Sequence, residues 1–292
     1  MKYSGEFVGL RTVFWMGVVE DRNDPIKLGR VRVRIYGWYT DEKQKVPTEA
    51  LPWAQVIQQP TSAAMGDIGY SPTGIVEGTW VVGIFLDGEK AQQPVIMGTL
   101  AGIPTEVVDA TKGFNDPNGV YPSRIDEPDV NRLARNDPLM PHGNDTSKNN
   151  GRSTGVETST GNNWNEPASA YGAQYPYNHV YESESGHIRE VDDTPNGERI
   201  HEYHKAGTFY EIDSNGNKVT RVVANNYMIV AGNDYAYVKG TVNLTIDGDC
   251  NTYIKGDWNI KVDGDVNETI GGDQTTAITG NLDVDAARID LN

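Results

Sequence analysis

Several side chains in this sequence have types and spacings that chemistry could use. His201 and His204 in IHEYH bring two imidazoles together, the commonest nitrogen ligands for zinc. A helical zinc site needs them four apart. At three apart in a strand they point to opposite faces, so they are read as structural. His187, in the turn SGH, is read as satisfying a backbone group. Glu182 and Glu184 lie two apart on one predicted strand face, with about 7 Å between side chains, a separation that glycosidase carboxylates use. Any polar strand face produces such a pair, so no catalytic role is assigned to it. Asp192 and Asp193 fall in DDTPNG, where Asp bonds its local backbone. Arg30, Arg32 and Arg34 form a cationic row that on a small barrel would suit a nucleic-acid strand. Glu20, Asp21 and Asp24 nearby favour a salt-bridged face or one that meets a protein partner. No phosphate loop, nucleophile elbow or zinc motif is present, and no catalytic, metal-binding or cofactor-binding residue is assigned.

Composition narrows the classes further. The chain has 292 residues, enough for about two domains with a real core. Only 37% is hydrophobic, yet 15 Tyr and 6 Trp oppose a disordered chain. The 32 Gly and 15 Pro imply frequent turns and favour β architecture. A net charge of -16 opposes nucleic-acid binding, which needs concentrated positive charge. The single cysteine, Cys250, excludes an intramolecular disulfide framework and a multi-Cys metal site. No apolar run approaches the ~20 residues of a membrane helix. The most apolar early stretch, 12–19, runs into Glu20, Asp21 and Arg22 without a small-residue cleavage site. It reads as a strand and not as a signal peptide.

The elements that must carry these residues are short strands. In LGRVRVRIYGW (28–38), Val31, Val33 and Ile35 share one face and the three arginines the other, the period of a half-buried strand. Residues 79–100 read as two strands around Asp87-Gly88. Together these predict a small barrel or sandwich over 1–104. Composition shifts near 105, and 105–173 is expected to be a polar extended linker, within which 141–173, rich in Asn, Gly, Ser and Thr, is a linker or surface-draped loop. Order is expected again from Tyr175. Over 174–221 a β-hairpin region follows, in which GERIHEYHKAGTFYEID turns at Lys205-Ala206-Gly207.

The strongest signal is a repeat. From Val230 the chain falls into seven octads opened by Val230, Val238, Ile246, Ile254, Val262, Ile270 and Ile278. Their third places hold Gly232, Gly240, Gly248, Gly256, Gly264, Gly272 and Gly280. Odd positions carry apolar groups such as Val242, Leu244, Trp258, Ile260 and Val266, and even positions carry Lys, Asp, Asn and Thr. Each octad is therefore a short strand with one buried and one wet face. The glycine marks a corner, where φ > 0 or a close backbone approach is expected. Asn243, Asn251, Asn259 and Asn267 share one even position and would stack as an outward amide ladder. Eight residues are too few to circle a core. Three octads per turn in one chain would give barely two turns with poor burial. Three chains contributing one side each would give a long triangular prism with no lateral edge strand, and this homotrimer over 222–292 is the expected arrangement. Cys250, at an odd position, would then be buried near the threefold axis.

The opening GVVEDRNDPIKLGRVRVRIYGW resembles the N-terminal domain of the baseplate central spike of T-even-type bacteriophages. So do LPWAQVIQQPTSAAMGDIGYSPTGIVEGTWVVGIFLDG and YPYNHVYESESGHIREVDDTPNGERIHEYHKAGTFYEI. The V-x-G octads are similar to that family's needle, and ARIDLN to its last strand. SGHIREVDDTPNGERI also resembles valine-glycine repeat spike proteins of type VI secretion. The resemblance implies an all-β protein with an OB-type barrel over 1–104 and a trimeric triple-stranded β-helix at the C-terminus. It further implies a place in the virion tail baseplate, with a tail hub or tube protein as partner of the barrel. The needle would cross the host outer membrane on tail contraction, capped by a small tip protein of the PAAR type, since its last residues contain no histidine for an ion-binding apex. Familiar members carry a lysozyme domain between barrel and needle. Here the polar interval replaces it, so peptidoglycan hydrolysis is expected from another protein or not at all. No cofactor is expected, though ions or lipid would fit a prism core. The rival readings are a β-helical tailspike acting on surface polysaccharide and a type VI secretion spike.

Overall fold

A computed structural model describes residues 12–137 and 151–290. The alternating pattern of the first hundred residues produces five strands: β1 (Val13–Asp21), β2 (Val31–Ile35), β3 (Trp53–Val56), β4 (Trp80–Phe85) and β5 (Pro94–Leu100). They close into a barrel in the order β1-β2-β3-β5-β4, with β1 pairing back onto β4. Closure removes the open edges that a flat sheet would expose. All pairs are antiparallel except β3 with β5. The inward residues Trp15, Val19, Val31, Val33, Ile35, Ala54, Val81, Phe85 and Ile96 form one core. The strand expected over 12–19 is β1, and the two strands expected over 79–100 are β4 and β5. Between the last two, Asp87 accepts hydrogen bonds from the backbone of Gln92 and Gln93 and so shapes a longer loop than a two-residue turn.

The polar face of β2 differs from expectation. Arg34 is fully buried, and its guanidinium donates to both carboxylate oxygens of Glu20, at 2.6 and 3.0 Å. Its remaining donors reach the carbonyls of Thr40 and Val46. Glu20 also accepts from the Thr48 hydroxyl and the Phe114 backbone amide. A Cβ at Gly113 would collide with the Arg34 side chain, so only glycine lets that segment seal the pair. The segments around 40–48 and 113–114 thus close over what would otherwise be a wet face. Arg34 cannot meet a partner from there.

Residues 105–131 carry no strand yet are held to the barrel. Gly113 donates to the Asp41 carbonyl, and Gly102 and Asp129 exchange two hydrogen bonds. The buried Asp116 carboxylate accepts from three backbone amides, those of Asn118, Val120 and Tyr121. A short helix α1 (Arg132–Arg135) follows, capped by the Asn131 side chain on the Leu133 amide. Then come the two-residue strands β6 (Val156–Glu157) and β7 (Asn163–Trp164). Order returns before Tyr175. Ser169 and Ala170 already bond Glu211, and Tyr171 donates to the Leu133 carbonyl at 2.7 Å.

Five strands then form an antiparallel meander: β8 (Asn178–Glu182), β9 (Ile188–Asp192), β10 (Arg199–Tyr203), β11 (Phe209–Ile212) and β12 (Lys218–Arg221). The hairpin predicted around Lys205-Ala206-Gly207 is the β10–β11 turn, closed by Gly207 donating to His204. Leu133, Ile188, Tyr203 and Phe209 make the sheet's apolar core. The barrel, its covering and this sheet belong to one compact unit reaching to Tyr237, and residues 238–292 with 157–162 belong to a second. In that second unit the Thr245 hydroxyl donates to the Glu157 carbonyl at 2.7 Å.

Replacing Arg34 with Met leaves Glu20 buried and unpaired, which costs about 3–5 kcal/mol. Urea unfolding followed by tryptophan fluorescence measures it, and a loss below about 1 kcal/mol would contradict the buried pair.

Candidate functional site

The other two arginines of the row are also engaged within the chain. Arg30 makes a two-point contact with Asp24, at 2.7 and 3.1 Å, and Asp24 accepts three backbone amides as well. The Arg30 hydrogen bond holds the Asp24 carboxyl well below the usual carboxylate range. Arg32 lies 3.5 Å from Asp21, donates to the Thr48 carbonyl, and stacks over Trp53 at 4.6 Å. The row is a structural ladder that ties β2 to β1 and to the loop after it.

The sheet brings together histidines and acids that the sequence left apart. His201 is buried, and its Nδ1 lies 2.5 Å from Glu190. Arg199 bridges Glu190 and Glu211 at 2.7 and 2.8 Å, and Asn178 donates to Glu190 at 2.9 Å. Burial pushes the Glu190 carboxyl up, but the His201 hydrogen bond and the Arg199 charge outweigh it and hold it below its ordinary value. His204 sits in the next turn, apart from His201, and His187 accepts from the Lys205 amide at 3.4 Å. Asp192 accepts from the Thr194 amide and hydroxyl, the local bonding expected of that turn. Glu182 and Glu184 do not share a strand face, because β8 ends at Glu182 and residues 183–187 turn back. Glu182 accepts from Asn131, while Glu184 takes Arg22 at 2.7 and 3.0 Å and the Tyr121 hydroxyl at 2.7 Å.

An open cleft of about 900 Å³ lies between the barrel and this sheet. Trp80, Leu100, Phe114, Tyr121, Val180 and Glu182 line it, so its wall mixes apolar surface with a carboxylate already held by Asn131. Among the described residues, no group of three or more His, Cys, Asp or Glu is placed to hold a metal ion. Among the described residues, no helix is long and apolar enough to cross a membrane.

The repeat region has the most regular geometry of the molecule. The chain bends at 231–232, 239–240, 247–248, 255–256, 263–264, 271–272 and 279–280, once per octad, always at the residue before the third place and at the glycine itself. Six residues run straight between bends, roughly 20 Å at 3.3 Å each. The same bend occurs at 223–224, so Val222 opens an earlier octad whose third residue is Ala224. Side chains repeat with it: Asn225 donates to the Tyr227 hydroxyl as Asn233 does to Tyr235. The ribbon buries nothing within its own chain. Leu244, Trp258, Ile260 and Val266 are exposed, the opening Val and Ile residues are about half exposed, and so is Cys250. Among the described residues, no backbone hydrogen bond involves any residue from 224 to 290. The expected last strand, ARIDLN, runs through Asp290 without a ladder partner, and its last two residues lie outside the described residues.

The glycines correct one expectation. None of the seven has a positive φ, and no other atom of the chain lies within 4 Å of where a Cβ would stand. Neither the backbone conformation nor a close neighbour within the chain accounts for glycine at seven successive corners.

A closed five-stranded barrel joined to a meander sheet makes this an all-β protein of the OB-barrel class. The profile of the family described as Gp5 N-terminal OB domain matches residues 37–197, more than half of the chain, and the chain belongs to that family. The chain is 43% identical over 264 residues to Protein Gp5 of Vibrio phage KVP40, covering 80% of this chain and 62% of that protein. It is 48% identical over 125 residues to the pre-baseplate central spike protein Gp5 of Enterobacteria phage T4, covering 41% of this chain and 22% of that one. The chain thus spans less than two thirds of the length of either relative.

Because Glu190 is held below the ordinary carboxylate value near 4.3, its contribution is present above that pH and is lost as pH falls through its folded value. Glu190→Gln should cost about 3 kcal/mol at pH 7 and flatten the acid loss of stability. Parallel acid profiles for both proteins would contradict this.

Proposed function

We propose that this chain is the central spike of a contractile phage tail baseplate, acting as a homotrimer. The name of the T4 relative supports the baseplate role. The observation that carries the assembly is the ribbon: eight octads without an internal backbone hydrogen bond, with apolar side chains in water and glycines unexplained inside the chain. Two further copies of the ribbon would account for all three features. They would pair the backbone as ladders, bury the odd-position side chains, and approach the corners closely enough to require glycine. The product is a triple-stranded β-helix over 222–292 with Val and Ile lining its axis.

In this reading the mechanism is mechanical. A stiff prism concentrates the force of tail contraction onto a small area of the host outer membrane, and no step of it uses a catalytic residue. The barrel domain holds the spike to the tail hub or tube. The arginine row is consumed within the chain, so the outward apolar residues Phe14, Met16 and Met97, on strands flanking β4, offer the better surface for that partner. A small tip protein caps the open strand ends of the prism. The acidic ribbon keeps the free spike soluble.

Light scattering behind a sizing column tests the assembly. The expected mass is three times the 32.1 kDa of one chain, persisting unheated in SDS. A stable single-chain mass would contradict it. Gly256→Val gives a second test. Three added side chains would overpack the corners at about 1–3 kcal/mol each and weaken the trimer, whereas a lone ribbon has empty space there and would not respond.

A further inference from the structure

The second position of four consecutive octads alternates in charge. From the octad opened by Val238 it reads Lys239, Asp247, Lys255 and Asp263, before Gly271 and Thr279 end the series. Each precedes the bend glycine and lies on the even, polar side of the ribbon. Within the chain only Asp263 has an ion partner, Lys261 at 3.1 Å, while Lys239, Asp247 and Lys255 have none among the described residues. A polar face needs charges of some kind. It does not need their signs to alternate at a spacing of eight.

We propose that this column holds the three copies in register by forming a ladder of ion pairs between chains, with neighbouring copies offset by one octad on every face and slipped arrangements penalised. The proposal rests on the trimeric reading above, and the offset follows from geometry. Three ribbons related by a threefold axis, each moving to the next face at every bend, place one octad of one copy beside the following octad of the next. Adjacent strands lie about 4.8 Å apart, so side chains at equal octad positions become direct neighbours. Lys239 then meets Asp247 of the next copy, which meets Lys255 of the third, which meets Asp263 of the first copy again. Three unlike contacts form along each such column. An offset of zero or two octads puts Lys beside Lys and Asp beside Asp, and like charges directly opposite are destabilising.

The fourth position raises the stakes for Lys255. There the octads read Asp249, Asp257, Asp265 and Asp273, which in the same stack form a column of like charge. Lys255 would stand between Asp247 and Asp263 of its neighbours and two residues from Asp257 of its own chain. It is the cation best placed to offset that acidic column. The apolar odd positions cannot set register this way, because Val and Ile at successive first positions are nearly interchangeable when slipped by one octad.

Two full-length variants test the proposal, both with the parent composition and net charge. Asp247→Lys with Lys255→Asp scrambles the column to Lys, Lys, Asp, Asp. Adding Lys239→Asp and Asp263→Lys inverts every sign but restores alternation. The temperature at which trimer mass is lost is followed by light scattering, in about 0.02 M and about 1 M salt, where the screening length falls to roughly 3 Å. The scrambled variant should dissociate roughly 5 °C or more below the parent at low salt, with the gap closing at high salt. The inverted variant should stay close to the parent. A scrambled variant equal to the parent at low salt, or an inverted variant as weak as the scrambled one, would overturn the ladder. If the scrambled chain yields no trimer at all, the inverted chain decides: a parent-like trimer supports the ladder and its failure overturns it. A parent chain that is itself monomeric sinks the trimeric reading and the ladder together, whereas a trimeric parent with a neutral scramble sinks only the ladder.

Discussion

Backbone hydrogen bonding is the constraint on which the rest of this molecule depends. Residues 224–290 each bring a donor and an acceptor, and within one chain none is used between backbone groups. In water those groups are solvated, so the deficit is not one of unmet bonds. It is one of order: fixing each residue in an extended conformation costs about 1–2 kcal/mol of conformational entropy, and the lone ribbon has no burial to offset it. In the trimeric reading proposed above, that order comes from identical copies, which match the ribbon's periodicity because every strand they supply has the same length and the same corners.

The N-terminal part meets the same constraint in the opposite way. Its strands are as short, but β1 returns to β4 and the barrel leaves no edge. What it cannot cover with apolar side chains it covers with paired charge. Glu20 and Arg34 are sealed beneath two loops, and Glu190, Arg199, His201 and Glu211 fill the inner face of the sheet. Such pairs contribute little net stability but are costly to break, and they specify which loop closes over which strand. The barrel-and-sheet unit is thus self-sufficient within one chain, while the ribbon is not.

The sequence made some of this legible and hid the rest for physical reasons. Alternation in VRVRI announced β2 and its inward face, because period two is a local property. It could not announce that Arg34 would be buried, since the covering residues Thr40, Val46 and Phe114 are remote and carry no pattern of their own. The same limit holds for the polar linker expected over 105–173, whose part 105–131 is pinned by Asp116 and Asp129 through backbone amides. His201 and Glu190 were readable as strand residues but not as neighbours, because cross-strand register decides that contact. The octads are plain from their glycines, and the first is hidden for the same reason: Ala224 stands in the glycine's place, while Asn225 and Tyr227 already repeat in Asn233 and Tyr235. Of the two reasons expected for the corner glycines, a positive φ is not found, and a close backbone approach is not made within the single chain.

Amide hydrogen exchange over residues 224–290 of the purified chain is the most direct measurement of the central claim. If copies complete the ribbon, its amides exchange slowly and in concert, with protection matching that of the barrel core around Val33 and Val81. Exchange at the rate of an open chain through the octads would show that the ribbon has no partner strands, and the account of a self-assembled spike would fail.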